Sequence, residues 1–462
     1  MLATQNHGAV RPALLARIAD ARRRSDALFD IVDSAALYDR PIPQRHRIIF
    51  YVGHLEAFDW NLLGERVFGM KPFQPAFDRL FAFGIDPVDG GLPSDQPSDW
   101  PSLASVREYV ARTRAALDEK LDGGIADAQI ETREDFSIDT FLNVAVEHRL
   151  MHVETLAYML HRLSLDRKVP DKARDKVPNN VRDKASYPSP VVVPLTPPVI
   201  HRMVQIPDGF ATLGLARDGE SFGWDNEYDT HTLHVPAFEI DQYKVTNRLY
   251  LDFVAAGGYE TRELWSDADW HWKTAEAISH PAFWKRSNDG RWLFRGMFEE
   301  VPLPLDWPVY VSQAEASAYA RWAGKSLPTE EQWHRAAFGS SEGNERTYPW
   351  GTAAPDSNLG NFDFASWDPA AVNAFPQGQS AFGVCDMLGN GWEWTSTVFA
   401  SFAGFKPFPF YPGYSADFFD GKHFVMKGGS ARTAACMLRP TFRNWFQPHY
   451  QFVYAGFRCA SR

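Results

Sequence analysis

Residues 166–198 constrain the chain most: DRKVPDKARDKVPNNVRDKASYPSPVVVPLTPP. Prolines recur too often for a helix, because each removes a backbone donor and clashes with the preceding turn. Acidic and basic residues alternate without the apolar mass of a core, and DKARDKVP is partly repeated. Such a stretch is expected to run as an extended linker, and its balanced charge argues against a basic binding tract. A chain of 462 residues also exceeds one ordinary core. The expectation is therefore two domains, residues 1–165 and 199–462, joined by a linker over 166–198.

The first domain reads as helical. Residues 11–37, 45–68, 102–121 and 140–163 each carry apolar residues at helical spacing with charges between them. In the first of these the apolar stripe is Leu14, Ile18, Ala21, Leu28 and Ile31. A Pro/Ser/Asp-rich loop is expected near 86–102. Four amphipathic helices with short or loopy connections predict a four-helix bundle.

From residue 199 onward, short strand-like pieces alternate with Gly, Pro and Asn turns, as in MVQIPDGFATLGL and HTLHVPAFEIDQYKVTN. Two helices stand out, one opening at Ser312 and closing near Gly324, the other opening at Thr329. The aromatic load of 16 Trp, 16 Tyr and 34 Phe falls mostly in this half. It suits an irregular mixed α/β domain held by side-chain packing.

The net charge of −11 argues against nucleic acid, which needs a basic face. Three cysteines, Cys385, Cys436 and Cys459, imply no disulfide framework and fit a reducing compartment. The start of the chain lacks the apolar run of a signal peptide, and no stretch approaches the apolar length of a membrane span. A cytoplasmic location, away from membranes, is the expectation.

The strongest local signal for chemistry is His148-Arg-Leu-Met-His152 in the fourth helical segment. Residues four apart differ by about 40° around a helix, so both imidazoles face one side and can share a metal. His54, in an apolar stretch of the second segment, is the candidate third ligand, since bundle cores are where facing helices assemble metal sites. An ordinary buried histidine is the competing reading for each of them. Glu147 and Glu154 point off the shared face, which favours three histidines over two histidines and a carboxylate. Three neutral imidazoles leave the full charge of a divalent ion and open positions beside it, a catalytic arrangement. These ligand types suit zinc and iron alike.

His54 followed by His148-x₃-His152-x-Glu154 resembles the DinB-like iron domain of ergothioneine sulfoxide synthases. The second domain is similar to the formylglycine-generating-enzyme/sulfatase-modifying fold, a variant of the C-type lectin fold. The matching stretches are FGWDNE (222–227), YKVTN (243–247), LPTEEQWHRAA (327–337), YPWG (348–351), DMLGNGWEWTS (386–396), MKGGSA (426–431) and RPTFRNWFQPHYQFVYAGFRCA (439–460). The resemblance covers nearly the whole chain except the linker. It implies an oxidoreductase with iron(II) on His54, His148 and His152. Its substrates would be O₂, a sulfur or selenium donor and hercynine, with the new bond at imidazole C2. Asn444 and Trp445 match positions that hold the betaine end of hercynine. An aromatic face suits a quaternary ammonium, which has no N–H to donate. Tyr411 and Tyr414 are the nearest candidates for the proton-donating tyrosine of sulfoxide-forming relatives, with packing as the alternative.

The chain departs from the γ-glutamylcysteine-using pattern where an acidic residue and an arginine would stand. It has Phe446 and the run Pro448-His449-Tyr450-Gln451 there. Met151 replaces a common glutamine. An uncharged aromatic wall cannot pair with the charges of γ-glutamylcysteine. A selenosugar donor, hence a selenoneine synthase, is the favoured expectation, with γ-glutamylcysteine or cysteine as the alternative thiol donor. Formylglycine generation would need a cysteine pair just after the GGS motif, where only Cys436 follows closely. Ovothiol-type coupling and a non-catalytic lectin-like module are the other readings.

Overall fold

The computed structural model describes residues 7–82, 92–122, 136–169, 199–217, 219 and 221–461. Two compact units divide the chain, Met1–Val177 and Pro178–Arg462. The anticipated linker falls almost wholly outside the described residues, at 170–198.

The first unit is the expected bundle. Helix α1 (His7–Asp30) buries Leu14, Ile18, Ala21 and Leu28. It stops short of residue 37 because the Asp33 side chain caps a separate 3₁₀ turn, Ser34–Tyr38, by accepting the Ala35 N–H. Helix α2 (Ile48–Asp59) is apolar nearly all round, and Ile48, Ile49, Phe50, Tyr51 and Leu55 are buried. That pattern belongs to a helix packed on every side. It runs on as a π-helical segment, Trp60–Val67, where the Phe68 N–H reaches back five residues to the Leu63 carbonyl. A short helix not anticipated from the sequence, α3 (Pro75–Leu80), follows with proline at its start. Helix α4 (Leu103–Asp122) shows one narrow buried stripe, Val106, Tyr109, Thr113, Leu117 and Leu121. Helix α5 (Ile138–Arg162) begins at Ser137, whose hydroxyl accepts the Thr140 N–H, and is buried almost throughout. No described helix is long and apolar enough to cross a membrane.

The second unit is irregular and held by four small sheets. Strands β1 (Met203–Ile206), β4 (Phe238–Asp241) and β12 (Ala460–Ser461) form one antiparallel sheet with β4 central. Strand β2 (Gly209–Leu213) pairs with β3 (His231–Val235). Helices α6 (Asn247–Ala255) and α7 (Asp267–Ala275) lead to a meander of β5 (Trp284–Arg286), β6 (Trp292–Arg295) and β7 (Glu300–Pro302). Helices α8 (Gln313–Trp322) and α9 (Glu330–Phe338) open with reciprocal capping boxes at Ser312 and Thr329, the two caps expected from sequence. The fourth sheet has the order β10 (Asn444–Phe446), β9 (Phe424–Lys427), β8 (Trp392–Val398), β11 (Ala455–Gly456), with β8 and β11 parallel.

The main core joins strand residues Ile206, Val235 and Ile240 to Trp333 and Phe338 of α9 and to Met387 and Leu388. Gly428, just after β9, has φ +101° and lies against the Met387 carbonyl, so a side chain there meets both strain and contact. Glu393 of β8 is fully buried between two cations. It accepts from Lys244 Nζ at 2.9 Å and from Arg458 Nε and Nη2 at 2.6 and 2.9 Å. None of the three cysteines is in a disulfide.

Candidate metal centre

Three histidine rings converge inside the bundle. His54 of α2 and His148 and His152 of α5 are all buried. His152 Nε2 lies 3.2 Å from His54 Nε2 and 3.1 Å from His148 Nε2. One ligand atom from each lies within 4.8 Å of the others. Nitrogens each about 2.1 Å from one ion would be spaced at roughly 3.0–3.4 Å, and both spacings through His152 fit a single ion.

The protonation pattern also fits. His54 Nδ1 donates to the Phe81 carbonyl at 2.6 Å, which leaves its Nε2 as a lone pair aimed at the other two rings. Burial pushes His54 down to about 4 and holds His148 and His152 well below the usual imidazole value. Three neutral imidazoles whose Nε2 atoms meet at one place are suited to a cation. The rings are braced by aromatics: Phe58 stacks on His148 at 3.4 Å between centroids, and Phe50 on His54 at 4.8 Å. Gly53 makes the Phe81 contact possible, because a Cβ there would lie 2.5 Å from the Phe81 ring.

Beside the histidines is a charge network that sequence reading missed. Arg149, between the two α5 histidines, is buried and donates to Glu56 Oε1 at 2.9 Å, Asp59 Oδ2 at 2.7 Å and the Leu55 carbonyl at 3.0 Å, all on α2. Arg114 of α4 joins Glu56 to Asp26 of α1. Burial alone would raise Glu56, but Arg149 and Arg114 hold it down at about 2; burial raises Asp59 despite Arg149. Glu154 and Glu147 are buried on α5, and neither belongs to the cluster of converging ligand atoms.

In the second unit, Trp445 of β10 sits in an aromatic group. Phe399 stacks on it at 4.2 Å and 6°, with Tyr414 edge-on at 5.5 Å and Phe418 at 5.6 Å. Tyr414 in turn stacks on Trp224 at 4.0 Å, and Tyr411 lies one ring further out, 5.6 Å from Tyr414. Ser415 donates to Asp225 at 2.6 Å, and burial pushes that carboxyl up to about 6. Strand alternation sends Asn444 and Phe446 to the face opposite Trp445. Asn444 Oδ1 accepts the Trp445 N–H, and Phe446 stacks on Tyr450 at 5.0 Å and 12°. His449 is hydrogen-bonded to Asp269 at 2.8 Å and stacked on Trp272 at 4.5 Å. Neither Asp269 nor Trp272 had a local signal, because both lie far from His449 in sequence.

Comparison with known proteins places both units. Residues 17–156 match the DinB superfamily, and residues 191–462 match the sulfatase-modifying factor enzyme 1-like domain. A protein of Mycolicibacterium thermoresistibile named hercynine oxygenase is 34% identical, over 97% of this chain and 95% of its own length. The hercynine oxygenase of Mycobacterium tuberculosis is 40% identical over 54% of this chain and 58% of its own. Ergothioneine biosynthesis protein 1 of Neurospora crassa is 27% identical over 91% of this chain and 54% of its own. With the DinB-type bundle, the sulfatase-modifying-type domain and a relative matched along almost its whole length, the chain belongs to the hercynine oxygenase family.

Proposed function

We propose that this chain is an iron(II)-dependent oxidoreductase that joins a chalcogen donor to imidazole C2 of hercynine, with a selenosugar as the favoured donor. The convergence of three neutral imidazole nitrogens in a buried bundle carries this reading, in a chain whose relatives are named hercynine oxygenases. His54, His148 and His152 would hold the ion. Iron(II) bound there supplies redox chemistry with O₂ and a Lewis-acid position. In the overall reaction the hydrogens of imidazole C2 and of the donor are lost, a C–Se or C–S bond forms, and dioxygen accepts the electrons.

The protein residues bind and orient. Residues 1–165 are assigned to the metal, 199–462 to substrate recognition, and 166–198 to the linker. Trp445 offers its ring to the trimethylammonium of hercynine, while Asn444, on the other face of β10 with its Oδ1 on the Trp445 N–H, is a substrate-binding candidate that does not share the face of that ring. Of the two candidate proton donors, the packing of Tyr414 in the Trp445 group favours it over Tyr411. The donor preference rests on Phe446 stacked against Tyr450. That pair presents aromatic surface where an ammonium and two carboxylates would need charged partners. Aromatic faces without charge suit a sugar ring. Three cysteines outside any disulfide support a cytoplasmic setting.

The test is a competition. Iron-loaded protein, hercynine and O₂ are offered γ-glutamylcysteine, cysteine and a selenosugar at equal concentration, and products are read by mass. The selenium product should dominate. A dominant γ-glutamylcysteine product overturns the donor reading, and hercynine left unconsumed with every donor overturns the enzymatic one.

A further inference from the structure

The α2–α5 clasp has a property that packing does not require. Arg149 is almost wholly inaccessible and directs most of its guanidinium bonds to one neighbour helix, binding Glu56, Asp59 and the Leu55 carbonyl of α2. It also reaches Ser25 of α1 at 3.3 Å. Its sequence neighbours are the ligands themselves: His148 precedes it, His152 follows one turn later, and His54 lies two residues before Glu56. A buried ion pair of this kind adds little stability over apolar residues of equal volume. What it adds is direction. Apolar side chains tolerate a slide of one helix along another, whereas a planar fork bonded to two carboxylates and a carbonyl does not. The need for direction is specific here. One residue of slip moves a helix by about 1.5 Å and turns it by about 100°, while a metal site tolerates roughly 0.5 Å.

We infer that Arg149, through Glu56 and Asp59, is the positioning residue of the three-histidine site. It locks the register of α5 against α2, so that His148 and His152 meet His54 at one point. The inference rests on the three-histidine reading above, and it concerns how the site is held rather than what it catalyses.

Cobalt(II) alone, added to the metal-free full-length chain, is the probe, because its visible bands report ligand geometry. Arg149→Lys keeps the charge but loses the fork. Leu160→Ala opens a cavity in the last turns of the same helix, away from the ligands, and serves as the control for general loosening. Arg149→Lys should weaken cobalt binding about 10- to 100-fold, the usual effect of removing a partner that orients metal ligands, and shift the visible bands. Leu160→Ala should keep the wild-type affinity and spectrum at a similar fall in Tm. Wild-type affinity and spectrum in Arg149→Lys, or equal loss in Leu160→Ala, overturns the positioning role while leaving the metal site standing. A wild-type chain that binds no cobalt overturns both. Should Arg149→Lys fail to fold, Glu56→Gln decides on the same criteria.

Discussion

Trp445 shows how far one side chain can be read. Its sequence context suggested a partner for a quaternary ammonium. The structure places it among Phe399, Tyr414 and Phe418 with a partly open ring, so packing and binding are the two roles to separate. Kinetics separates them. A cation–π contact is worth about 1–2 kcal/mol in a partly desolvated site, so Trp445→Leu should raise the KM for hercynine roughly fivefold to thirtyfold, with kcat changed much less. Steady-state rates with hercynine varied at saturating donor check this, and an unchanged KM would make Trp445 a core residue only. The histidines were legible because four-residue spacing on a helix is a local fact. Arg149, Glu56 and Asp59 were not, because a charged residue on a helix ordinarily reads as solvent-facing. Only the neighbouring helix reveals that these are inside.

At the scale of elements, the helices of the bundle were legible from their apolar periodicity, and their ends less so. Asp33 ended α1 early through a side-chain bond that periodicity does not register. The π-helical segment after Asp59 was invisible, since one extra residue per turn blurs an apolar pattern without breaking it. In the second unit, strands of two to seven residues draw their register from distant partners, which no local pattern encodes. The loop before β8 makes a pH prediction. Burial pushes Asp386 up to about 6 from its ordinary 3.8, against the pull of Lys244. The folded carboxyl thus holds its proton to higher pH than the unfolded one. The stability it contributes is present below about pH 4 and lost as pH rises through 6. Asp386→Asn mimics the protonated state, keeps an acceptor for Asn390 Nδ2 and suits the positive φ of 60°. It should stabilise the second unit by about 1–3 kcal/mol at pH 7.5, with the gain vanishing near pH 4. Chemical denaturation of both proteins across that range is the measurement.

Taken whole, the molecule is two compact units, and each buries charged or polar clusters of its own among the described residues. The families of both units were readable from ordered motifs. The internal charge clusters were not, because they join residues tens to hundreds of positions apart. Because the three histidines belong to the folded bundle, a bound ion stabilises that unit by mass action. At a hundredfold excess over Kd the gain is about 2.7 kcal/mol. Iron(II) added without oxygen should therefore raise the unfolding transition of the bundle in calorimetry, and His148→Ala should remove the rise. The trio Lys244, Glu393 and Arg458 carries a different consequence. Deleting one member strands a charge in the interior at about 3–5 kcal/mol. Gradual drift at these three places is thereby closed to any lineage descending from this chain: the set is inherited intact, or exchanged together for apolar residues of the same bulk.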